Sequence, residues 1–275
     1  MVKSNFHTHS TWCDGRDSPR RMVEAAVKCG FTALGFSGHS YMECEPGYCM
    51  SDSDGYKAQI RELAAEYRGI INIYCGVEQD MYCVHPPVGY DYVIGSLHYV
   101  CKNDRLYSVD CGRDEVCRTV REEFGSDWLS FCEAYYEGLK HVVQRTGADI
   151  IGHFDLVTKY NEGGRLFDEH DPRYVAAWRS AADALLKAGV PFEINTGAIS
   201  RGYRTCPYPS EDILRYLAEH GAKAVLSSDS HDSSSLDTGF REAEDLALRV
   251  GIPLVDFEQT ILGRMGHINK RINGV

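Results

Sequence analysis

The sequence predicts an α/β fold in which parallel strands form a closed or nearly closed barrel. Three observations lead there. Short apolar runs alternate with helical periods about seven times. No linker, fixed-length repeat or low-complexity block interrupts the alternation. No G-x-G-x-x-G follows the first apolar run, so the dinucleotide-binding form of an open sheet loses its support. An open, doubly wound sheet remains the architectural alternative, but seven units within 275 residues favour closure.

Each element has its own signals. Val2–Phe6 is the first apolar run. Ser18-Pro19 supplies an N-cap and a first-turn proline; Met22, Val23, Ala26 and Val27 form one helical face, and Gly30 stops the helix. Phe31–Phe36 is the second strand. A loop from Tyr41 to Ser53 leads into a helix from Tyr56 to Tyr67, ended by Gly69. Ile70–Val77 and Tyr90–Leu97 read as the third and fourth strands. Helical stretches at Asp114–Phe124 and Trp128–Arg145 come next, then a short strand at Ala148–Ile151. Asp171-Pro172 caps a helix to Ala188, and Val190–Asn195 is the sixth strand. Ser210 caps a helix ending at Gly221, with Glu211 and Asp212 in its first turn, where the helix dipole favours acids. Lys223–Ser227 is the seventh strand. Leu236–Val250 is the last helix, before a weak apolar run from Ile252 to Phe257.

Composition narrows the function. Hydrophobic residues make up 43% of the chain and charged residues 25%, enough for a full core and unlike disordered or collagenous sequences. With 29 Lys+Arg against 40 Asp+Glu, the net charge of −11 argues against a partner as polyanionic as long DNA or RNA. The segment from Met1 to His7 has no apolar core or cleavage site, which predicts no signal peptide. No apolar run reaches ~18 residues, so no membrane-crossing helix is expected. The 11 Cys include no C-x-x-C pair; reduced thiols and a cytoplasmic location are expected. Cys13 stands out because it precedes Asp14.

The chemistry gathers where strands end. The first strand runs into His7-Thr8-His9, the second into His39, the third into Glu78, the fourth into His98 and the fifth into His153. The sixth ends at Asn195, and the seventh runs into Asp229-Ser230-His231. In a parallel barrel these ends meet on one face. His7 and His9 are two apart on a strand and point to the same side, as do Asp229 and His231. Imidazole with carboxylate suits Zn, Fe or Mn, and so many candidate ligands exceed one tetrahedral site, so two or three ions with a bridging carboxylate are expected. Glu78 after an apolar strand is costly to bury without a cation. Taken singly, a histidine at a strand end is more often a core or capping residue. That bland reading applies to His85, His141, His170, His220 and His267. It is the recurrence at one topological place that points to ligands.

These residues resemble a family. His7-Thr8-His9-Ser10, Gly38-His39, Gly76-Val77-Glu78, Gly95-Ser96-Leu97-His98, Gly152-His153-Phe154-Asp155 and Ser228-Asp229-Ser230-His231 are similar to the ordered motifs of the PHP (polymerase and histidinol phosphatase) superfamily. The likeness runs from residue 5 to about 250. Gly95–Tyr99, Gly152–Tyr160, Glu193–Thr196 and Tyr208–Ser210 resemble its histidinol-phosphate phosphatase branch. The resemblance implies a single PHP-type phosphoesterase domain over 1–275, folded as a distorted (βα)7 TIM-like barrel. It also implies a trinuclear metal site. His7, His9, Glu78 and Asp229 would hold one ion. Glu78 would bridge to a second ion on His98 and His153, and Asp14, His39 and His231 would take the third. Without the resemblance, Asp14 reads equally well as a turn aspartate. Gly197-Ala198-Ile199 departs from the Ser-Gly-Leu more usual in the family.

The implied reaction is hydrolysis of L-histidinol phosphate, in histidine biosynthesis, by a metal-bridging hydroxide attacking phosphorus in line. Glu78, Asp229 and His231 would be the catalytic residues. Arg201, following the sixth strand, is the leading phosphate clamp; Lys159 and Asn195 join it as substrate contacts, with Arg204 and Arg165 as rivals. Asp155 and Glu43 are candidate acceptors for the cationic groups of histidinol. The alternatives are a PHP phosphoesterase acting on another small phosphate or nucleotide, an amidohydrolase-type C–N hydrolase, and a non-catalytic metal-stabilised binding protein. Amidohydrolases usually bridge their metals with a modified lysine, where this chain has Glu78. With three divalent ions and a hydroxide, the site itself would carry about +2, so an acidic protein can still hold a small phosphate.

Overall fold

The computed structural model describes residues 2–263, and His267 lies outside them. Seven parallel strands form one sheet. β1 (Ser4–Asn5), β2 (Ala33–Phe36), β3 (Asn72–Asp80) and β4 (Tyr92–Ser96) follow one another in space as in sequence. An antiparallel hairpin, β5 (Tyr99–Lys102) with β6 (Arg105–Ser108), then leaves the sheet. β7 (Ile150–Ile151), β8 (Phe192–Asn195) and β9 (Ala224–Ser227) complete the order β1-β2-β3-β4-β7-β8-β9. The two edges meet three residues beyond the ends of β1 and β9. Thr8 bridges Ser230 in parallel, with His9 N donating to Ser230 O at 2.8 Å and Ser230 N to His7 O at 3.3 Å. The barrel therefore closes through the residues that flank its histidines.

Helices cover the outside: α1 (Pro19–Lys28), α2 (Ser53–Glu66), α3 (Arg113–Glu123), α4 (Trp128–Leu139), α5 (Val142–Thr146), α6 (Pro172–Leu186), the single turn α7 (Gly197–Ser200), α8 (Glu211–Glu219) and α9 (Phe240–Val250). Among the described residues no helix is long and apolar enough to cross a membrane. Local chemistry starts these helices. Ser18 Oγ accepts from Arg21 N, Asp52 from Gly55 N and Asp171 from Arg173 N. Ser210 differs from expectation. Its side chain makes no capping bond, and its own N–H donates to Asp155 Oδ2 at 3.0 Å.

Three elements depart from the sequence pattern. The stretch Trp128–Arg145 breaks into α4 and α5 at Lys140-His141. The last helix starts at Phe240 rather than Leu236, after Gly239 in the left-handed conformation. The hairpin β5–β6 has no clear sequence signal, because its turn, Asn103-Asp104, lacks the glycine that marks most tight hairpins.

Strand alternation builds two cores. Leu34, Cys75, Val93, Ile151, Ile194 and Leu226 point outward under the helices. Ala33, Tyr74, Tyr92, Ile94, Ile150 and Val225 join Phe6 and Phe257 in a separate cluster inside the barrel. Tyr92 is the centre of this plug. Its hydroxyl donates to Phe6 O at 2.6 Å, with Phe36 O 3.1 Å away on its other side. The ring fits because Gly35 and Gly76 face it; a Cβ on Gly76 would stand 2.3 Å from Tyr92 Cζ. The plug fills the barrel on one side and leaves polar side chains, Glu78, Asp80, Ser96, Glu193, Asn195 and Ser227, on the continuing inward faces of the same strands. Tyr92→Phe should lower unfolding stability by about 1–3 kcal/mol, read from urea denaturation, since a buried carbonyl loses its donor.

Candidate metal centre

The strand ends deliver the histidines to one point. Glu78, only 1% exposed, lies at their centre. Its Oε2 is 3.3 Å from His7 Nε2, 3.5 Å from His9 Nε2 and 2.9 Å from His39 Nδ1. Its Oε1 is 2.7 Å from His153 Nε2 and 3.2 Å from His98 Nε2. Asp229 Oδ1 is 3.2 Å from His9 Nε2 and 3.7 Å from His7 Nε2. At the rim, Asp14 Oδ2 is 3.1 Å from His231 Nε2, and Asp14 Oδ1 is 3.5 Å from His39 Nε2.

Three overlapping sets of ligand atoms result, each within 4.8 Å: His7, His9 and Asp229; His39, Glu78 and His98; His9, Asp14, His39 and His231. His39 thus faces both Glu78 and Asp14 with its two ring nitrogens, and His9 joins the rim set as well as the deep one. The partition implied by the family resemblance is sharper than the geometry.

A cation fits this donor set. His7 Nε2, His9 Nε2 and Glu78 Oε2 are buried, face one another and lack hydrogen-bond partners. Buried polar atoms are normally satisfied, and a divalent ion would satisfy all three together. The charges agree. Burial would raise the Glu78 pKa, but His7, His39 and His98 outweigh it and hold the carboxyl well below its usual range. Burial is likewise overcome at Asp229, chiefly by Arg201 and His7, and at Asp14 by His39 and His231. Burial, with His231 and His39, lowers the His9 pKa to about 3 and keeps that imidazole neutral. Burial also favours neutral His7, yet Glu193, Glu78 and Asp229 together raise its pKa well above the ordinary value. A bound cation would take over the charge that the protonated ring otherwise supplies.

Backbone details aim these ligands. Asp229 adopts φ 51°, a left-handed conformation that aspartate tolerates better than most residues. Asp14 sits where the chain folds back on Ser10, whose carbonyl accepts from Cys13 N at 3.0 Å and Gly15 N at 3.1 Å. A Cβ on Gly15 would stand 2.4 Å from Ser10 N, so this return needs glycine. Cys13 Sγ lies 3.4 Å from His9 Nδ1. Burial, reinforced by Asp14, pushes its thiol pKa up to about 12, so it holds His9 as a neutral thiol and is no thiolate ligand.

Behind the ligands stands a layer of carboxylates to which the sequence reading assigns no role. Glu193 Oε1 is 2.6 Å from His7 Nδ1, and Glu193 Oε2 accepts from His153 N at 2.8 Å. Asp80 Oδ2 is 3.0 Å from His98 Nδ1. Such contacts fix the tautomer and aim of a ligand ring. The two-residue strand period that pairs His7 with His9 would have found both, as Glu78-x-Asp80 and Glu193-x-Asn195.

The cluster opens into a cleft of about 440 Å³ whose lining includes Arg16, Glu45, Tyr48, Asp110, Lys159 and Arg201. Arg201 donates to Asp229 O at 2.7 Å and Asp229 Oδ2 at 2.9 Å. Lys159 is 3.4 Å from Asp110 Oδ2. Asn195 is a correction. Expected to bind substrate, it is fully buried beneath the cleft, with Nδ2 on Glu193 and Asp229 and Oδ1 on Gly197 N, leaving no amide group to reach a ligand. The rival Arg204 is buried against Thr158 O and Glu169, and Arg165 lies outside this cleft. Neither expected acceptor lines it either: Asp155 is buried at the start of α8, and Glu43 is exposed.

Comparison with known proteins places this geometry. The PHP domain family matches residues 5–197. A protein of Schizosaccharomyces pombe named a probable histidinol-phosphatase is 23% identical over 273 residues, covering 91% of this chain and 87% of its own. One of the same name from Deinococcus radiodurans is 28% identical over 252 residues, covering 86% of this chain and 89% of its own. The crystal structure of a histidinol phosphate phosphatase from Lactococcus lactis, complexed with Zn, L-histidinol and phosphate, shares the fold. Its TM-score is 0.63 at 22% identity, over 92% of this chain and 95% of that one.

Glu193→Gln should weaken divalent-metal binding about 10- to 100-fold, measured by chelator competition, because His7 loses the carboxylate that aims it. Lowering the solution from about pH 7.5 to about pH 5 should also reduce bound metal, measured by metal analysis after dialysis, as protons compete for the ligands.

Proposed function

The chain belongs to the PHP domain family, and from that premise we propose that it is a metal-dependent phosphomonoesterase that hydrolyses L-histidinol phosphate to L-histidinol and phosphate. Residues 1–275 would form one phosphoesterase domain acting in the cytoplasm. The observation that carries the reading is Glu78, whose two oxygens face separate groups of imidazoles at the floor of a cleft whose walls carry Arg16, Lys159 and Arg201. The names of the two curated relatives and the ligands of the Lactococcus protein support the same substrate.

His7, His9, Asp14, His39, Glu78, His98, His153, Asp229 and His231 would hold two or three divalent ions, of Zn, Fe or Mn. Such ions supply Lewis-acid charge for phosphoryl oxygens and lower the pKa of water. The remaining work falls to the chain. Arg201 uses two guanidinium hydrogens on Asp229 and keeps others for a phosphate oxygen. Asp229 thus acts twice, as a ligand and as the anchor of that clamp. Lys159 adds a second positive charge to the cleft wall. Glu78 stays ionised and fixes the spacing of the ligand groups on its two sides. Asp14 and His231 stand at the more open rim.

A non-catalytic binding protein has no use for an open, carboxylate-bridged cluster. Glu78 rather than a lysine between the ligand sets separates the site from lysine-bridged barrel hydrolases. The purified, metal-loaded protein should release phosphate from L-histidinol phosphate with a kcat/KM well above that for other small phosphate monoesters. Comparable values across the panel would defeat the specific substrate and leave the reaction class. His98→Ala should lower kcat/KM by at least about 100-fold in the same phosphate-release assay, a loss of ~2.7 kcal/mol of transition-state stabilisation.

A further inference from the structure

One carboxylate in the cleft is used neither by the metal cluster nor by an ion pair. Glu45 stands on the loop between β2 and α2, half-buried, and lines the same cleft as Glu78, His98 and Arg201. Its Oε2 accepts a hydrogen bond from the Tyr99 hydroxyl at 2.7 Å, and the Tyr48 hydroxyl lies 2.8 Å from that of Tyr99. With Tyr99 donating to the carboxylate, its oxygen is left to accept from Tyr48, and the ladder fixes Glu45 as an acceptor. The other end of the ladder touches the cluster: the Tyr48 ring stands edge-on to His39, centroids 4.8 Å apart.

Glu45 Oε1 has no hydrogen-bond partner among the described residues, and no basic side chain among them lies within ion-pair distance of this carboxylate. Asp110, the other acid on the wall, already has Lys159 at 3.4 Å. The cleft is therefore bipolar. Arg16, Lys159 and Arg201 line it beside the metal-ligand cluster, and Glu45 offers one oriented oxygen to a positive group in the same cleft. The open oxygen of such a carboxylate suits a charge-assisted hydrogen bond from a cationic group in the cleft.

We propose that Glu45 is a specificity-determining residue, accepting a charge-assisted hydrogen bond from a protonated amine or imidazolium on the leaving group while the phosphate lies at the metal cluster. This rests on the phosphomonoesterase reading and narrows its substrates to phosphate monoesters with a cationic leaving group.

The test compares kcat/KM for L-histidinol phosphate with that for glycerol 3-phosphate, whose leaving group is neutral, in the metal-loaded full chain. The wild type should prefer the cationic ester. Glu45→Gln should lower the ratio of the two constants about 10- to 100-fold, the range expected for losing a hydrogen bond to a charged group. Glu45→Asp should keep more of the preference than Glu45→Gln, and metal content should match wild type in both. A wild type that favours the cationic ester while Glu45→Gln leaves the ratio unchanged would overturn the role of Glu45 and leave the proposed activity intact. Equal losses on both esters would also overturn it, since a merely structural residue does not discriminate. A wild type with no preference would remove both the selectivity and the histidinol-phosphate assignment.

Discussion

Glu78 carries a negative charge in a place where burial alone would remove it. Its carboxylate is almost wholly enclosed, yet five imidazoles from four other strand ends surround it. An isolated buried carboxylate costs several kcal/mol, and only positive partners on both oxygens can offset that. The rest of the architecture serves this need. A linear arrangement of the same residues could not supply it, because His7 and His153 are separated by most of the barrel in sequence. A closed parallel sheet brings the strand ends together and puts the requirement within reach of single side chains.

The barrel meets a second demand by dividing its interior. Below the site, Tyr92 and its aromatic neighbours fill the lumen, with glycines at 35 and 76 making room for the ring. Above them the same inward positions turn polar. The transition happens within strands: Tyr74 and Glu78 lie on one face of β3, and Tyr92 and Ser96 on one face of β4, leading to His98 just beyond it. The apolar plug blocks solvent from below, lowers the local dielectric and strengthens the electrostatics of the ligands above it. Closure between Thr8 and Ser230 ties His7 and His9 to Asp229 and His231, so the bridge that closes the sheet also brings two of the ligand pairs together.

Period and place make much of the site legible in the sequence. The strand-end histidines, Glu78 and Asp229 stand out because a fixed position recurs from unit to unit. The residues that stay hidden do so for physical reasons. Glu193 and Asp80 act through another side chain, so neither the motif at Glu193–Thr196 nor the two-residue strand period says what they do. Asn195 looks like a ligand contact because it ends a strand, but its amide is held from three sides below the cleft. Glu43 and Glu45 are two apart on a loop, where no periodicity says which one faces inward; the hydroxyl of Tyr99 decides it. Arg201 is legible as a basic residue after the sixth strand, while its anchoring on Asp229 requires the fold.

The chain's net charge of −11 coexists with a cleft built for an anion, because the acids nearest the site are enclosed by imidazoles and guanidinium groups. The central claim is that both oxygens of Glu78 serve one polynuclear cluster. Anomalous X-ray diffraction from crystals grown with a divalent metal tests it directly. The account predicts at least two metal peaks within bonding distance of the Glu78 carboxylate, one towards His7, His9 and Asp229 and one towards His98. No peak near Glu78, or a single ion held at the rim by Asp14 and His231 alone, would contradict it.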